Sequence, residues 1–234
     1  MTKPIYLQIA DELRDNIQQK IYLSGDKLPT EKNLADRFSV NRHTIRNAIA
    51  LLREEGLIRV DRGRGMYVAK TPIQYPIGDR VRYNESLKAQ GIKASYQKLK
   101  AIEIPSSKTI ADTLKIAIGA KVVLIERIGL ADSQPISIGS SYFPSDRLPN
   151  LISNWEKYAS ISKLLKEEYN CEHLRRSTTV SARIVREADA RLLQIPVNYP
   201  ILLAKSINCN RERQVIEYGI TRFAGEMMEL VFDN

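Results

Sequence analysis

The sequence predicts an α+β chain of two domains, and three observations predict it. Apolar residues recur at helical spacing as far as Leu52 and then give way to a glycine-tipped hairpin. Prolines and a glycine punctuate residues 70–78. Beyond them, β-rich runs alternate irregularly with short helical runs, the order expected of an antiparallel sheet with inserted helices.

A chain of 234 residues is comfortable for two cores. No run of about 18 apolar residues occurs, which excludes an apolar membrane-spanning helix. Asp11, Glu12, Arg14 and Asp15 interrupt the N-terminus and exclude a secretory h-region. Cys171 and Cys209 lack metal-ligand spacing and a near histidine on a shared element, so they read as reduced, buried cytosolic thiols. The net charge is +9, of which residues 1–70 carry +4 and residues 71–234 carry +5. Charge alone therefore does not identify a nucleic-acid partner; placement has to.

From Pro4 onward, Ile5, Ile9, Leu13, Ile17 and Ile21 form one apolar stripe, and Pro4 suits a first helical turn. Ser24-Gly25-Asp26 ends it. Thr30 is an N-cap for a second helix, Glu31–Phe38, whose first residue complements the helix dipole and whose apolar face is Leu34, Ala35 and Phe38. Only Ser39-Val40 separate it from Asn41, a second N-cap. On the third helix Ile45, Ala48, Ile49 and Leu52 fall within roughly 100° of arc, a core-facing stripe. Arg42, Arg46 and Arg53 share a flank, with His43 and Asn47 beyond them. Gly56 suits a left-handed cap, after which 57–60 and 66–69 read as strands around Asp61-Arg62-Gly63-Arg64-Gly65. Two helices joined by so short a turn, the second opening Asn-Arg-His-Thr, match the helix-turn-helix arrangement. In that arrangement the start of the second helix reaches base edges and arginines meet phosphates. The hairpin can bring a backbone close to a phosphate strand and Arg64 into a minor groove.

Residues 3–70 closely resemble the winged helix-turn-helix domain of GntR-type bacterial transcription regulators. The resemblance rests on Leu28-Pro29-Thr30-Glu31, Arg42-x-Thr44-x-Arg46, Glu55-Gly56-Leu57-Ile58 and Gly63-x-Gly65. It implies that Arg42, His43, Thr44, Arg46, Arg64 and Gly65 contact double-stranded DNA and that Glu31 orients an arginine. Thr30 and Arg53 complete the candidate set.

With domain 1 at 1–70 and a linker at 71–79, the second domain spans 80–234. Its expected elements are a helix over 80–90 closed by Gly91, a strand 94–104, a helix 108–114 and a strand 121–131. A turn at Asp132–Pro135, a strand 136–143 and helices within 150–169 follow. Strands at 174–187, 201–209, 214–223 and 227–232 complete it. At a constant offset of 79, Ala111–Ile116 aligns with Ala190–Ile195, Val122-Val123-Leu124 with Ile201-Leu202-Leu203, Ile128 with Ile207 and Ile136 with Val215. Two related strand pairs in one sheet are expected. In this alignment Glu217 replaces Ile138 and Arg127 replaces Ser206. Such charged replacements mark groups aimed at a cavity, or else exposed to solvent or paired with each other.

Residues 75–234 resemble the effector-binding UTRA domain of the HutC branch, a chorismate-lyase-like fold. The carriers are Leu124-x-x-Arg127 through Gln134-Pro135, Tyr142-Phe143-Pro144, Ala159-Ser160-Ile161, and Ile216-Glu217 through Arg222-Phe223-x-Gly225. By that resemblance Asn84, Arg127, Ser160, Ser162, Glu217 and Phe223 line the effector pocket. The pattern departs at Gly129, where sugar-phosphate-sensing members carry a second arginine, at Ser162 and Phe223, often tyrosine, and at Asn84, often serine. Glu226-Met227 also replaces a frequent Asp-Arg. These changes alter the pocket's charge and shape but leave Arg127 able to pair with an anion. Asn41–Thr44 and Thr221-Arg222-Phe223 look most like regulators of phosphonate or phosphate-linked metabolism.

The resemblance implies a cytoplasmic, nucleoid-associated homodimeric repressor. It would read a pseudo-palindromic operator and be released by a small anionic metabolite such as a phosphonate, phosphate or sugar phosphate. No catalytic residue, metal or cofactor is expected. His43 and His173 are the only histidines, and no glycine-rich phosphate loop joins a strand to a helix. Two alternatives stay open. One is a lyase-type enzyme on the second fold. The other is a non-specific nucleic-acid binder, with steep salt dependence and little sequence preference.

Overall fold

The computed structural model describes residues 3–61, 63–69, 72–81, 83–158 and 160–232. Arg62, Lys70, Thr71 and Ala159, invoked above in the hairpin tip, the linker and a helix start, lie outside the described residues, as does Arg82 within the expected 80–90 helix. The chain divides into two compact units, 1–71 and 72–234. Among the described residues no helix is long and apolar enough to cross a membrane.

Unit 1 contains α1 (Ile5–Gln18), α2 (Glu31–Phe38), α3 (Arg42–Glu54), β1 (Ile58–Asp61) and β2 (Gly65–Val68). Both expected caps form: Thr30 Oγ1 accepts from Asn33 N at 3.2 Å, and Asn41 Oδ1 accepts from Thr44 N at 2.8 Å. Ser39 supplies the left-handed residue that ends α2, at φ 53°. The α2–α3 turn is therefore closed by a cap on each side. Leu13, Leu34, Ile45, Ala48 and Leu52 meet in one core with Ile58, Met66 and Val68 of the hairpin. The α1 stripe is narrower than expected: Ile5 is exposed, and Ile21 lies exposed beyond the helix end. β1 and β2 pair antiparallel, Ile58 opposite Val68 and Asp61 opposite Gly65.

Unit 2 adds β3 (Ile73–Pro76), α4 (Tyr83–Ala89), β4 (Ala94–Pro105), α5 (Lys108–Leu114), β5 (Lys121–Ala131) and β6 (Gln134–Pro144). It continues with α6 (Leu151–Trp155), α7 (Ile161–Tyr169), β7 (Leu174–Ile184), α8 (Glu187–Leu193), β8 (Pro200–Cys209), β9 (Val215–Ala224) and β10 (Met228–Val231). Six strands form one antiparallel sheet in the order β4-β5-β6-β9-β8-β7. Two expectations change. Residues 73–76, read as linker, form β3, which pairs parallel with β10 and belongs to unit 2. The helix read over 80–90 covers only Tyr83–Ala89.

The internal repeat is real in three dimensions. β4-α5-β5-β6 and β7-α8-β8-β9 are successive copies, α5 and α8 sit 79 residues apart, and β6 meets β9 at the centre with Ser140 opposite Ile220. The sheet therefore has an approximate two-fold between β6 and β9. The alignment needs one correction. Leu130 pairs with Pro135 across the first hairpin and Cys209 with Val215 across the second, so the second turn is one residue longer. From there the offset is 80, and Glu217 corresponds to Ser137, not Ile138. Because strand side chains alternate between faces, that one-residue shift decides which face Glu217 occupies.

The two faces are differently covered. Leu114 of α5 packs with Val122 and Val215, and Ala190 and Leu193 of α8 pack with Ile128 and Ile138. On the opposite face Val123, Ile125 and Phe143 pack under Trp155 of α6 and Leu164 and Leu165 of α7. Arg127, Gly129 and Glu217 share this second face, where the packing leaves an opening.

Candidate functional site: a cavity on the sheet and an exposed helix start

A cavity of about 550 Å³ lies over β5, β6, β8 and β9. Its floor is built from equivalent positions of the two repeats: Arg127 and Ser206, Gly129 and Asn208, Ser137 and Glu217, Gly139 and Gly219, Ser141 and Thr221. The outer strands continue the pattern with Tyr96 opposite Gly129 and Arg175 opposite Asn208. Only the glycines match. The cavity is a symmetric frame furnished with unlike chemistry.

All six residues expected from the resemblance, Asn84, Arg127, Ser160, Ser162, Glu217 and Phe223, line this one cavity. Ser160 caps α7, its hydroxyl oxygen accepting from Lys163 N at 3.4 Å. Phe223 is buried with Tyr75, ring centroids 6.1 Å apart. Arg127 neither turns to open solvent nor forms an ion pair with Glu217. Its guanidinium lies 5.3 Å from the Tyr96 ring centroid, and Nη1 donates to Ser141 Oγ at 3.2 Å. A guanidinium has five donors, so most of this one remains available to the cavity.

Glu217 is buried and pairs with His173, Oε2 to Nε2 2.5 Å, and accepts from Asn208 Nδ2 at 2.6 Å. Ser162 donates to Val81 O at 3.1 Å, so its single hydrogen is spent and it accepts from His173 Nδ1 at 2.9 Å. Both ring nitrogens therefore carry hydrogen, and His173 is the cation of a buried pair. Burial alone would raise the Glu217 carboxyl; the charge and hydrogen bond of His173, with Ser141 and Arg127, outweigh it and hold the group below the usual carboxylate range. Glu217 is thus neutralised internally, while Arg127 keeps free donors toward a cavity that Arg175 also lines.

Gly129 has no room for a side chain. A Cβ there would stand 2.3 Å from Ser137 Oγ and 3.0 Å from Tyr83 Oη, which themselves lie 3.3 Å apart. Burial pushes the Tyr83 and Tyr96 hydroxyls well above the ordinary phenol value, so both stay neutral. His173, Asn208, Arg175, Tyr83 and Tyr96 were missed from the sequence. The sequence shows His173 as one of two histidines but gives no signal of its partner. Extending the repeat would have found Asn208 and Arg175, at the places of Gly129 and Tyr96.

In unit 1 the candidate residues gather at the start of α3 and on the hairpin. Arg42, His43, Arg46 and Arg53 are exposed, and Thr44 uses its hydroxyl on Asn41 Oδ1 at 3.0 Å. Arg46 Nε donates to Glu31 Oε2 at 2.9 Å, linking the first turn of α2 to α3. Arg42, Arg53 and Arg64 make no ion pair among the described residues, whereas Arg14 and Arg37 are tied to Glu55 and Glu12. Thr30 is occupied as the α2 cap. Arg64 is exposed on the hairpin turn, where Tyr67 Oη donates to its carbonyl at 3.2 Å. At Gly65 a φ of 118° strains any residue but glycine, and a Cβ there would also push aside the flexible end of Lys27, whose Cε is 2.9 Å away.

Cys209 is fully buried, but Cys171 is half-buried and lines the cavity, unlike the expectation that both are buried. No described group of histidine, cysteine or carboxylate residues could hold a metal ion.

Comparisons with known proteins agree on both units. The model described as bacterial regulatory proteins of the gntR family matches residues 5–68, and that of the UTRA domain matches residues 89–229. An HTH-type transcriptional regulator of Rhizobium meliloti is 31% identical over 97% of this chain and 93% of its own. The probable transcriptional regulator PhnF of Escherichia coli is 30% identical over 98% and 95%. The HTH-type transcriptional repressor PhnF of Mycolicibacterium smegmatis is 26% identical over 87% and 82%. A crystal structure of PhnF from Mycobacterium smegmatis has the same fold, with a TM-score of 0.69, 24% identity and 99% of both chains covered.

Proposed function

The chain belongs to the GntR family of bacterial regulatory proteins with a UTRA domain, and on that premise we propose that it is a repressor released from its operator by a small anionic metabolite. It is a transcription regulator, not an enzyme, with a DNA-binding unit and an effector unit. The observation that carries the anionic effector is Arg127, a cavity-lining guanidinium stacked on Tyr96 beside a carboxylate that His173 has already neutralised. A phosphonate or phosphate would take the free donors of Arg127.

On the DNA side, Arg42, His43, Thr44 and Arg46 at the start of α3 read base edges and nearby phosphates, and Arg64 and Gly65 approach the minor groove. Glu31 fixes the Arg46 fork. Two copies read a pseudo-palindromic operator, and the bound anion favours a dimer geometry whose half-site spacing no longer fits. This requires only that the effector bind the two geometries with different affinity. The name of the M. smegmatis repressor supports the direction of control.

The test is to recover the genomic fragments that the full-length protein retains and to titrate the best of them with phosphate, alkylphosphonates and sugar phosphates while following anisotropy. An enriched inverted repeat, released by one of these anions, is expected. Retained fragments with no shared sequence would favour the non-specific binder, and indifference to every anion would remove the effector reading.

A further inference from the structure

Three buried polar atoms of cavity-lining residues lack partners, Asn84 Oδ1, Asn208 Oδ1 and Arg175 Nε, and the last two belong to directly opposed residues. Asn208 is almost fully buried on β8, and its Nδ2 faces the Glu217 carboxylate, which can only accept. That contact settles the amide's orientation and leaves Oδ1 as an acceptor with no donor. Arg175 stands opposite Asn208 on β7. Its Nη1 donates to Gly78 O at 2.7 Å and its Nη2 to Tyr75 Oη at 3.0 Å, while Nε is buried without an acceptor. Both residues line the cavity. Leaving a buried acceptor and a buried donor unmet costs free energy that a matching group would recover.

One group satisfies both atoms at once. A hydroxyl can donate to Asn208 Oδ1 and accept from Arg175 Nε. An ammonium can only donate, and it would sit beside the Arg175 guanidinium and the His173 imidazolium. We propose that Asn208 and Arg175 form a hydroxyl-reading subsite, so that the effector is a small anion carrying a hydroxyl at the end remote from its acidic group. The inference rests on the anionic-effector reading above.

The span is chemically reasonable. Arg127 delivers its guanidinium to Ser141 on β6, which is level with Ser206 on β8, so Asn208 lies two strand spacings across and two residues along, roughly 12 Å away. Subtracting a hydrogen bond of about 2.8 Å at each end leaves about 6 Å, the reach from a phosphonate oxygen to the hydroxyl of a two- or three-carbon hydroxyalkyl phosphonate. Pseudo-symmetry explains why only one half carries the subsite: the corresponding positions are Gly129 and Tyr96, which offer no side-chain amide and no guanidinium.

The experiment is calorimetric titration of the full-length protein with ethylphosphonate, 2-hydroxyethylphosphonate, 3-hydroxypropylphosphonate and 2-aminoethylphosphonate. At least one hydroxylated probe is expected to bind about ten-fold or more tightly than ethylphosphonate, and the amino probe to gain nothing. In Asn208→Leu and Arg175→Lys, each checked by thermal melting, the hydroxyl-to-alkyl ratio is expected to fall to about one. Arg175→Lys keeps the test alive if Asn208→Leu does not fold. Binding of all four probes with equal affinity would overturn the subsite, its two atoms then being served by water, and would leave the anion reading intact. An amino probe matching the hydroxyl probes, or a preference surviving both variants, would also overturn it. Binding by none of the four would overturn the anion reading and the subsite together.

Discussion

Glu217 and Ser137 occupy the same place in the two halves of the sheet, and they meet different partners. Ser137 lies 3.3 Å from Tyr83 Oη and closes its side of the cavity, while Glu217 lies 2.5 Å from His173 and forms a buried ion pair. At this one place the first half thus supplies a neutral hydroxyl and the second a paired carboxylate. Four predictions test how these differences and the α3 start contribute.

Glu217 is needed as a charge. Its carboxyl sits below the ordinary value of 4.5 in the folded protein, so its contribution is full above that value and is lost as pH falls below it. Glu217→Gln leaves the His173 cation without its counter-charge and should cost roughly 3 kcal/mol near neutral pH. Thermal melts should show a Tm deficit of roughly 5–10 °C for the variant at neutral pH. The deficit should narrow as pH drops below 4.5, because only the wild type has a depressed carboxylate to protonate. A deficit independent of pH would contradict the ion-pair account.

Arg46 and Arg127 should separate the two activities. Arg46→Ala is expected to weaken operator binding by about 1–3 kcal/mol and to leave anion binding intact. Arg127→Ala should abolish anion-induced release while the free protein still binds the operator. Anisotropy and calorimetry on the same preparations decide this, and parallel loss of both activities in either folded variant would count against the division.

At position 129 the objection to a side chain is steric. Gly129→Ala should displace the Ser137 hydroxyl from Tyr83 and lower stability by about 1 kcal/mol. Adding Ser137→Gly opens the space, so the double variant should recover part of the loss for the same alanine. Melting curves that show strict additivity would mean that the two positions do not meet.

The α3 start depends on its cap. Asn41→Ala removes the acceptor for Thr44 N and the partner of the Thr44 hydroxyl, and should destabilise unit 1 by about 1 kcal/mol. Because Arg42, His43 and Arg46 follow directly, operator affinity should fall with it. Asn41→Asp preserves the cap and should restore stability, as read by amide exchange in α3.

Much of unit 1 was legible in the chain because its signals are local. Thr30 and Asn41 cap the helices they precede, apolar residues at helical spacing face inward, and glycines mark the hairpin. The pairing of Arg46 with Glu31 was less local, since it needs α2 and α3 to cross, and the family motif suggested it where periodicity did not. In unit 2, β3 was hidden in a linker-like composition because its pairing partner, β10, lies at the other end of the domain. The 79-residue repeat was readable, but the extra residue in the second turn was not, and Glu217 was matched to the wrong neighbour.

By itself the sequence determined the two units, the order of most elements, the helix caps and the family. Each of these follows from short-range spacing or from motifs that tolerate no rearrangement. The tertiary structure decided where charge ends in the cavity: that His173 neutralises Glu217, that Tyr83 and Ser137 close the space above Gly129, and that Asn208 and Arg175 face each other with unmet polar atoms. The physical reason is register. Strands distant in sequence bring side chains together according to which face each residue takes, and a single inserted residue reverses that face.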